Sequence, residues 1–382
     1  MVYKNIGGYD NECECVQKRG LMGKKHICLI DYDMCDWGGV EQVIENLGQA
    51  FLGDYRVSII SLCSGFLRTY DGISCYTIID KRARMREILV SGYWKLIQIL
   101  NQNHVDIVIV CESCAGMIVT LARPFIKAKV IFADHLNLLS VWNDKPVRYM
   151  RYFSSRFSDC TITLTKKNKD DYIQYFHCPP QKLTVIYNWI DEKVFKAVKE
   201  YKSGEKKIVT AGRLEHAKGY DRLLDIAERV LPCHPDWEWH IFGSGSLQKM
   251  ISQEIQNRNL GKQLILTGNS KTMLEEYHNY SIFAMTSYVE GLPLVLLEAK
   301  TNRLPSISFD ILTGPSEIID DGQNGYLVEE GDIIGFSEKL SLLMENEKLR
   351  KSFSDQAYQG IEKFQKEKIL KQWECLFDRI LI

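Results

Sequence analysis

Two carboxylates, Glu290 and Glu298, bracket a turn and a helix start in the run Tyr288-Val289-Glu290-Gly291-Leu292-Pro293-Leu294-Val295-Leu296-Leu297-Glu298-Ala299. Pro293 suits the first helical position, where its missing N–H would be unpaired anyway. Gly291 lets the backbone come close to a ligand, and the N–H groups of Leu294 and Val295 point outward where an anion could sit. Glu298 falls one turn after Leu294 on the same face, toward the same pocket. A carboxylate before a helix N-terminus and another just inside it can hold a polyhydroxylated ligand carrying a phosphate. The alternative is an ordinary helix with a polar start and an apolar body. Upstream, Arg213 and Lys218 follow the apolar run Ile208-Val209-Thr210-Ala211-Gly212. A planar guanidinium and a mobile ammonium on one loop fit a diphosphate; singly, each is also an ordinary solvated cation.

Such residues need strands that all end at one edge, and the chain supplies them. Near-continuous apolar runs at 26–30, 57–62, 76–79, 105–110, 130–133, 161–164 and 183–186 alternate with helical patterns. A second series follows at 208–211, 239–242, 264–267, 282–285 and 306–308. Runs without alternation mark parallel strands covered on both faces, so the economical reading is an α/β chain of two doubly wound domains. Ligands of such sheets bind at the carboxyl ends of strands. There the sequence places Gly38 and Gly39 opening a helix, His135, Gly243 in Gly243-Ser244-Gly245, and Asn269 in Thr267-Gly268-Asn269. The paired glycines can admit a phosphate or form a plain tight turn, and His135 is equally a contact or a satisfied structural histidine. Gly243-Ser244-Gly245 lacks the third glycine of a dinucleotide fingerprint and does not argue for NAD. The lysine-rich stretch 192–207 reads as the domain boundary. The last segment, 366–382, carries Ile369, Leu370, Trp373, Leu376, Phe377 and Ile380 on one helical stripe that must be buried.

Bulk properties narrow the class. With 382 residues, 45% apolar and 25% charged, the chain can form two or three cores. A net charge of −1 gives no global attraction to nucleic acid. No apolar run approaches the roughly 18 residues that cross a bilayer, and the first 23 residues lack a signal-peptide core. The 12 cysteines then read as reduced thiols in a cytoplasmic protein. Neither Cys13-Glu14-Cys15 nor Cys111-Glu112-Ser113-Cys114 has the context of a metal or redox site. Residues 1–23 are expected to be an N-terminal extension, with Met22 an alternative start. Two basic, aromatic stretches stand out: Lys81, Arg82, Arg84, Arg86 and Lys95 with Tyr93 and Trp94, and Trp142, Lys145, Arg148, Tyr149, Arg151, Tyr152, Phe153 and Arg156. They fit contact with anionic lipid or a lipid diphosphate, or else are solvated helix faces.

From about Lys24 to the C-terminus the chain resembles the retaining GT-B glycosyltransferases of family four. The resemblance rests on ordered motifs: Gly38-Gly39-Val40-Glu41, Ile186-Tyr187-Asn188 with Asp191, Gly212-Arg213-Leu214 with Lys218-Gly219, and Gly243-Ser244-Gly245. It continues with Glu290 to Glu298, Thr313-Gly314-Pro315-Ser316-Glu317-Ile318-Ile319, and Asn324-Gly325. The block Thr313–Ile319 with Asn324-Gly325, together with Glu290-Gly291-Leu292-Pro293, is similar to the subset that builds bacterial surface polysaccharides, lipopolysaccharide and lipid-linked oligosaccharides. The resemblance implies two Rossmann-like domains facing a central cleft: 24–190 on the acceptor side and 191–365 for the nucleotide sugar, with 366–382 crossing back. It implies transfer of a hexose or N-acetylhexosamine from a nucleotide diphosphate sugar, UDP favoured, to a saccharide or lipid-diphosphate-linked acceptor with retention. Arg213, Lys218, Glu290 and His135 would form the catalytic set. Gly38, Gly39, Gly243, Asn269, Gly291, Leu292, Leu294, Val295 and Glu298 would bind the donor, with Glu298 on the ribose. No metal or cofactor is expected, since no Asp-x-Asp site stands at a suitable place. Peripheral contact with the inner face of the cell membrane is expected from the basic stretches. Trp189 replaces the small residue usual after Asn188, and Asn302-Arg303 the usual Cys-Gly, away from the charged site. A catalytically silent nucleotide-sugar-binding subunit and a nucleotide-sugar epimerase are the competing readings; the intact charged set opposes the first.

Overall fold

The structure is a computed structural model that describes residues 23–35, 38–270 and 272–382. The expected extension, Gly23 aside, lies outside the described residues, as do Cys13 and Cys15. Among the described residues no helix is long and apolar enough to cross a membrane.

Seven parallel strands build the first sheet: β1 (His26–Asp31), β2 (Arg56–Cys63), β3 (Ser74–Ile79), β4 (Ile107–Val110), β5 (Lys129–Asp134), β6 (Cys160–Thr163) and β7 (Leu183–Val185), in the order β3-β2-β1-β4-β5-β6-β7. Six build the second: β8 (Lys207–Ala211), β9 (Glu238–Phe242), β10 (Leu264–Gly268), β11 (Ile282–Met285), β12 (Ser306–Asp310) and β13 (Gly325–Glu329), in the order β10-β9-β8-β11-β12-β13. Both are the doubly wound order, in which the chain reverses direction beside the first strand of each sheet. Helices on either side of that reversal lie on opposite faces and open a crevice at the strands' carboxyl ends. The crevices fall between β1 and β4 and between β8 and β11.

Every expected strand is present, and β13 was not expected. Its sequence, Gly325-Tyr326-Leu327-Val328-Glu329, is short and only half buried, so it lacks the continuous apolar run of an inner strand. The boundary stretch is not featureless: Asp191 accepts from the Lys193 N–H at 2.8 Å and caps a short helix, Glu192–Ala197.

The closing helix, Lys366–Leu381, buries Ile369, Trp373, Leu376 and Phe377. It packs on the first domain: Phe51 meets Trp373 and Phe377 edge-on at 5.9 and 5.4 Å, and Tyr55 meets Phe377 at 5.5 Å. Arg379 also donates to Thr184 Oγ1 at 2.8 Å. The apolar stripe therefore straps the second domain back onto the first.

One basic position departs from the expected solvent-facing set. Arg151 is 1% exposed, pairs with Asp134 at 3.3 Å and donates to the Asn137 carbonyl at 2.8 Å. Burial of a charge requires such partners, so Arg151 is part of the core and not of a lipid-facing surface. Trp142 likewise turns inward against Tyr175 and Phe176 with Arg148 over its ring.

Candidate active site

The second crevice gathers the charged set. Arg213 and Lys218 stand on the loop after β8, and Glu290 on the loop after β11. Lys218 Nζ donates to Glu290 Oε1 at 2.7 Å. The two loops are stitched together by their backbones: the N–H groups of Tyr288 and Val289 donate to the Ala217 carbonyl at 2.8 and 3.3 Å. Glu290's own carbonyl accepts from Thr313 Oγ1 at 2.9 Å. Arg213 is exposed.

Glu298 lies one turn inside the Leu294–Thr301 helix. Its Oε2 accepts from the Tyr277 hydroxyl at 2.9 Å. Burial pushes its carboxyl up to about 7, with Asp191 adding to the rise and the Tyr277 hydrogen bond opposing it. Pro293 is the residue preceding the helix rather than its first member: its φ of −72° fits a helix, but its ψ of 103° is extended. Leu294 and Val295 therefore remain the first two amides, and neither meets a backbone acceptor among the described residues.

Two glycines serve a different neighbour from the one expected. A Cβ on Gly291 would sit 2.2 Å from the His135 carbonyl oxygen, so what comes close there is the backbone of the other domain. A Cβ on Gly243, whose φ is +145°, would strike the Gly212 carbonyl at 1.9 Å. Gly243-Ser244-Gly245 is thus a turn packed under the Arg213 loop, which it holds through Ser246 N–H and Oγ bonds to Glu215 at 3.0 and 2.6 Å. Asn269 is exposed and donates to Ser244 Oγ at 2.8 Å, linking the loops after β9 and β10. Leu292 is buried.

The first domain faces this site directly. A Cβ on Gly38 would lie 3.7 Å from Arg213 Nη1 and 3.0 Å from Glu41 Oε2, whereas Gly39 has open space. His135 follows β5, and its Nε2 is buried without a hydrogen-bond partner among the described residues. Burial holds its imidazole down at about 4, so it is neutral. A small cavity lined by His135, Asp134, Leu164 and Tyr187 adjoins the ring. Glu317, from the loop before β13, spans the two domains: its carboxylate accepts from the Lys166 N–H at 2.7 Å and the Tyr187 hydroxyl at 2.8 Å.

Tyr277, Ser287, Thr313 and Glu317 were not assigned roles from sequence. Thr313 and Glu317 lie inside a motif already read. Tyr277 carries no local signal, because its contact with Glu298 spans 21 positions.

Comparison with known proteins agrees with this architecture. Residues 37–194 match the family model described as Glycosyltransferase Family 4, and residues 191–360 match that described as Glycosyl transferases group 1. The chain is 27% identical to the amylovoran biosynthesis glycosyltransferase AmsD of Erwinia amylovora, over 93% of this chain and 99% of that protein. Its fold superposes on S. aureus TarM in complex with fondaparinux, α-GlcNAc-glycerol and UDP, with TM-score 0.76, 18% identity, and 93% and 100% of the two chains covered. It superposes equally on the lipopolysaccharide outer core galactosyltransferase WaaB, with TM-score 0.78, 21% identity, and 93% and 99% covered. With the two family models lying end to end on the two doubly wound sheets, the chain is a GT-B glycosyltransferase.

Proposed function

We propose that the protein moves a hexose or N-acetylhexosamine from a UDP-sugar to a saccharide or lipid-linked saccharide, with retention, in surface polysaccharide biosynthesis. The observation that carries this reading is the Lys218–Glu290 pair, 2.7 Å apart at the β8/β11 crevice beside exposed Arg213. Arg213, Lys218 and the Leu294 and Val295 amides stabilise charge on the leaving diphosphate, a preorganised electrostatic device that requires no metal. Glu298 takes the ribose hydroxyls. Glu290 and His135 Nε2 contact the transferred sugar from opposite domains. The acceptor hydroxyl attacks the anomeric carbon on the face the diphosphate leaves; the C1–O bond to phosphate breaks and the proton passes to a phosphate oxygen. No protein nucleophile takes part. Closure of the two domains over the cleft excludes water.

The relatives support the chemistry: AmsD is named as an amylovoran biosynthesis glycosyltransferase, WaaB as a lipopolysaccharide outer core galactosyltransferase, and the TarM complex holds UDP. A panel of nucleotide sugars tests it by thermal stabilisation, where ligand at one hundred times its Kd adds about 2.7 kcal/mol. Proton NMR of the product then reads the anomeric configuration. Stabilisation by no UDP-sugar, or an inverted product, contradicts the proposal.

We also propose reversible contact with an anionic membrane at the cytoplasmic face, through the first domain. Lys81, Arg82, Arg84 and Arg86 are all exposed. Beside them Val90, Trp94 and Phe125 are 85%, 64% and 51% exposed, with the two rings 5.4 Å apart. Each cation near such a surface adds on the order of 1 kcal/mol, screened by salt. The variant to compare with wild type removes Arg82, Arg84, Arg86, Arg148 and Arg156 and leaves buried Arg151 in place. Co-sedimentation with anionic vesicles should fall with salt and with the variant; binding indifferent to both refutes the contact.

A further inference from the structure

The Lys218–Glu290 pair has a third member that carries no charge. Ser287, 3% exposed on the loop after β11, donates from Oγ to Glu290 Oε1 at 2.7 Å. This is the same oxygen that receives Lys218 Nζ at 2.7 Å. Oε2 receives no hydrogen bond from the described residues. A carboxylate oxygen offers about two lone-pair sites. Ser287 and Lys218 fill those of Oε1, and Oε2 remains the atom that can take a new donor.

The surroundings fix this asymmetry. Thr313 Oγ1 pins the Glu290 carbonyl, and Thr286 Oγ1 donates to the Lys218 carbonyl at 3.3 Å. Ser287 is therefore flanked by a residue that locates the lysine and sits three positions before the one it orients. Without its hydroxyl, the carboxylate can turn and chelate the ammonium with both oxygens. That geometry withdraws Oε2 from the cleft.

We propose that Ser287 is a positioning residue for the donor sugar: its hydroxyl holds Glu290 Oε1 so that Oε2 faces a hydroxyl of the transferred sugar. The inference rests on the sugar-nucleotide reading above. Because Ser287 acts through Glu290, its loss should weaken recognition of the sugar and spare recognition of the nucleotide.

Calorimetry separates the two. Kd is measured for UDP, UDP-glucose, UDP-galactose, UDP-N-acetylglucosamine and UDP-N-acetylgalactosamine on wild type, Ser287→Ala and Ser287→Thr. The expected result is that Ser287→Ala binds UDP within about twofold of wild type but loses about tenfold for the preferred UDP-sugar, the size of one hydrogen bond to a charged group. Ser287→Thr, which keeps the hydroxyl, should recover most of the loss. Should the alanine variant not fold, Ser287→Cys must show the same selective loss, since a thiol donates weakly. Equal weakening of UDP and UDP-sugar, or no weakening of the UDP-sugar, overturns the assignment while leaving the donor site standing. Wild type that binds none of the five ligands overturns the donor site itself, and this inference with it.

Discussion

The two crevices share a strand order and differ in how their charges are matched. At β8/β11, Lys218 meets Glu290, Ser287 supports it, and Glu298 holds the Tyr277 hydroxyl. At β1/β4 the balance is acidic. Asp31, 2% exposed, has an Oδ1 without a hydrogen-bond partner among the described residues. Burial first, then the charges of Glu41 and Glu112, pushes its carboxyl up to about 7. Glu112 is spent capping the Ser113–Ala122 helix, where it accepts from the Cys114 and Ala115 N–H groups at 2.8 Å each. Strand order thus marks where ligands of such sheets bind, while the charges distinguish the side we propose for the diphosphate from the side we propose for the acceptor.

The largest effect should come from breaking the matched side. Arg213→Ala and Lys218→Ala should each lose roughly 2–4 kcal/mol of transition-state stabilisation, or about 30- to 1000-fold in turnover. Melting temperature should stay nearly unchanged for exposed Arg213 and fall for Lys218, whose loss leaves Glu290 without its ion-pair partner. Turnover above half of wild type in both variants at saturating donor removes the diphosphate assignment.

A smaller effect, of opposite sense, is expected at Asp31 on the other side. The unfolded Asp31 ionises near its ordinary pKa, whereas the folded one keeps its proton to about 7. Between those values the native state binds more protons, so stability falls as pH rises through the window. Asp31→Asn should therefore raise the melting temperature at pH 8, by on the order of 1–2 kcal/mol in stability, and raise it less at pH 5. A gain that is largest at pH 5 contradicts the burial argument.

The smallest is a pH profile. Ionised Glu298 accepts more strongly than the protonated acid from the ribose hydroxyls of the proposed donor, and its carboxyl titrates at about 7. Donor affinity should then rise several-fold between pH 6 and pH 8, on the scale of one hydrogen bond to a charged group. Glu298→Gln should flatten the profile and raise KM more than it lowers kcat. A profile unchanged by the substitution places the titration elsewhere.

Much of this was legible in the chain because the relevant signals are local. Arg213 and Lys218 follow an apolar run that had to be a strand, and Glu290 and Glu298 flank a helix start. What sequence could not give is what each glycine approaches. Gly291 and Gly243 read as room for a ligand, yet their neighbours are the carbonyls of His135 and Gly212, contacts set by tertiary packing. Arg151 failed for a related reason. A basic helix with aromatics looks the same whether its arginine faces water or Asp134, and here the turn toward β5 decided it. The strand β13 escaped because an edge strand buries one face and shows no continuous apolar run.

The most direct test of the central claim, that the diphosphate sits at the β8/β11 crevice, is amide hydrogen exchange of wild type with and without saturating UDP. The predicted result is the strongest protection in segments 212–219 and 290–298, where loop and helix-start amides would be covered. Protection strongest in the loops of the first sheet, or unchanged exchange in both segments with UDP bound, would contradict it.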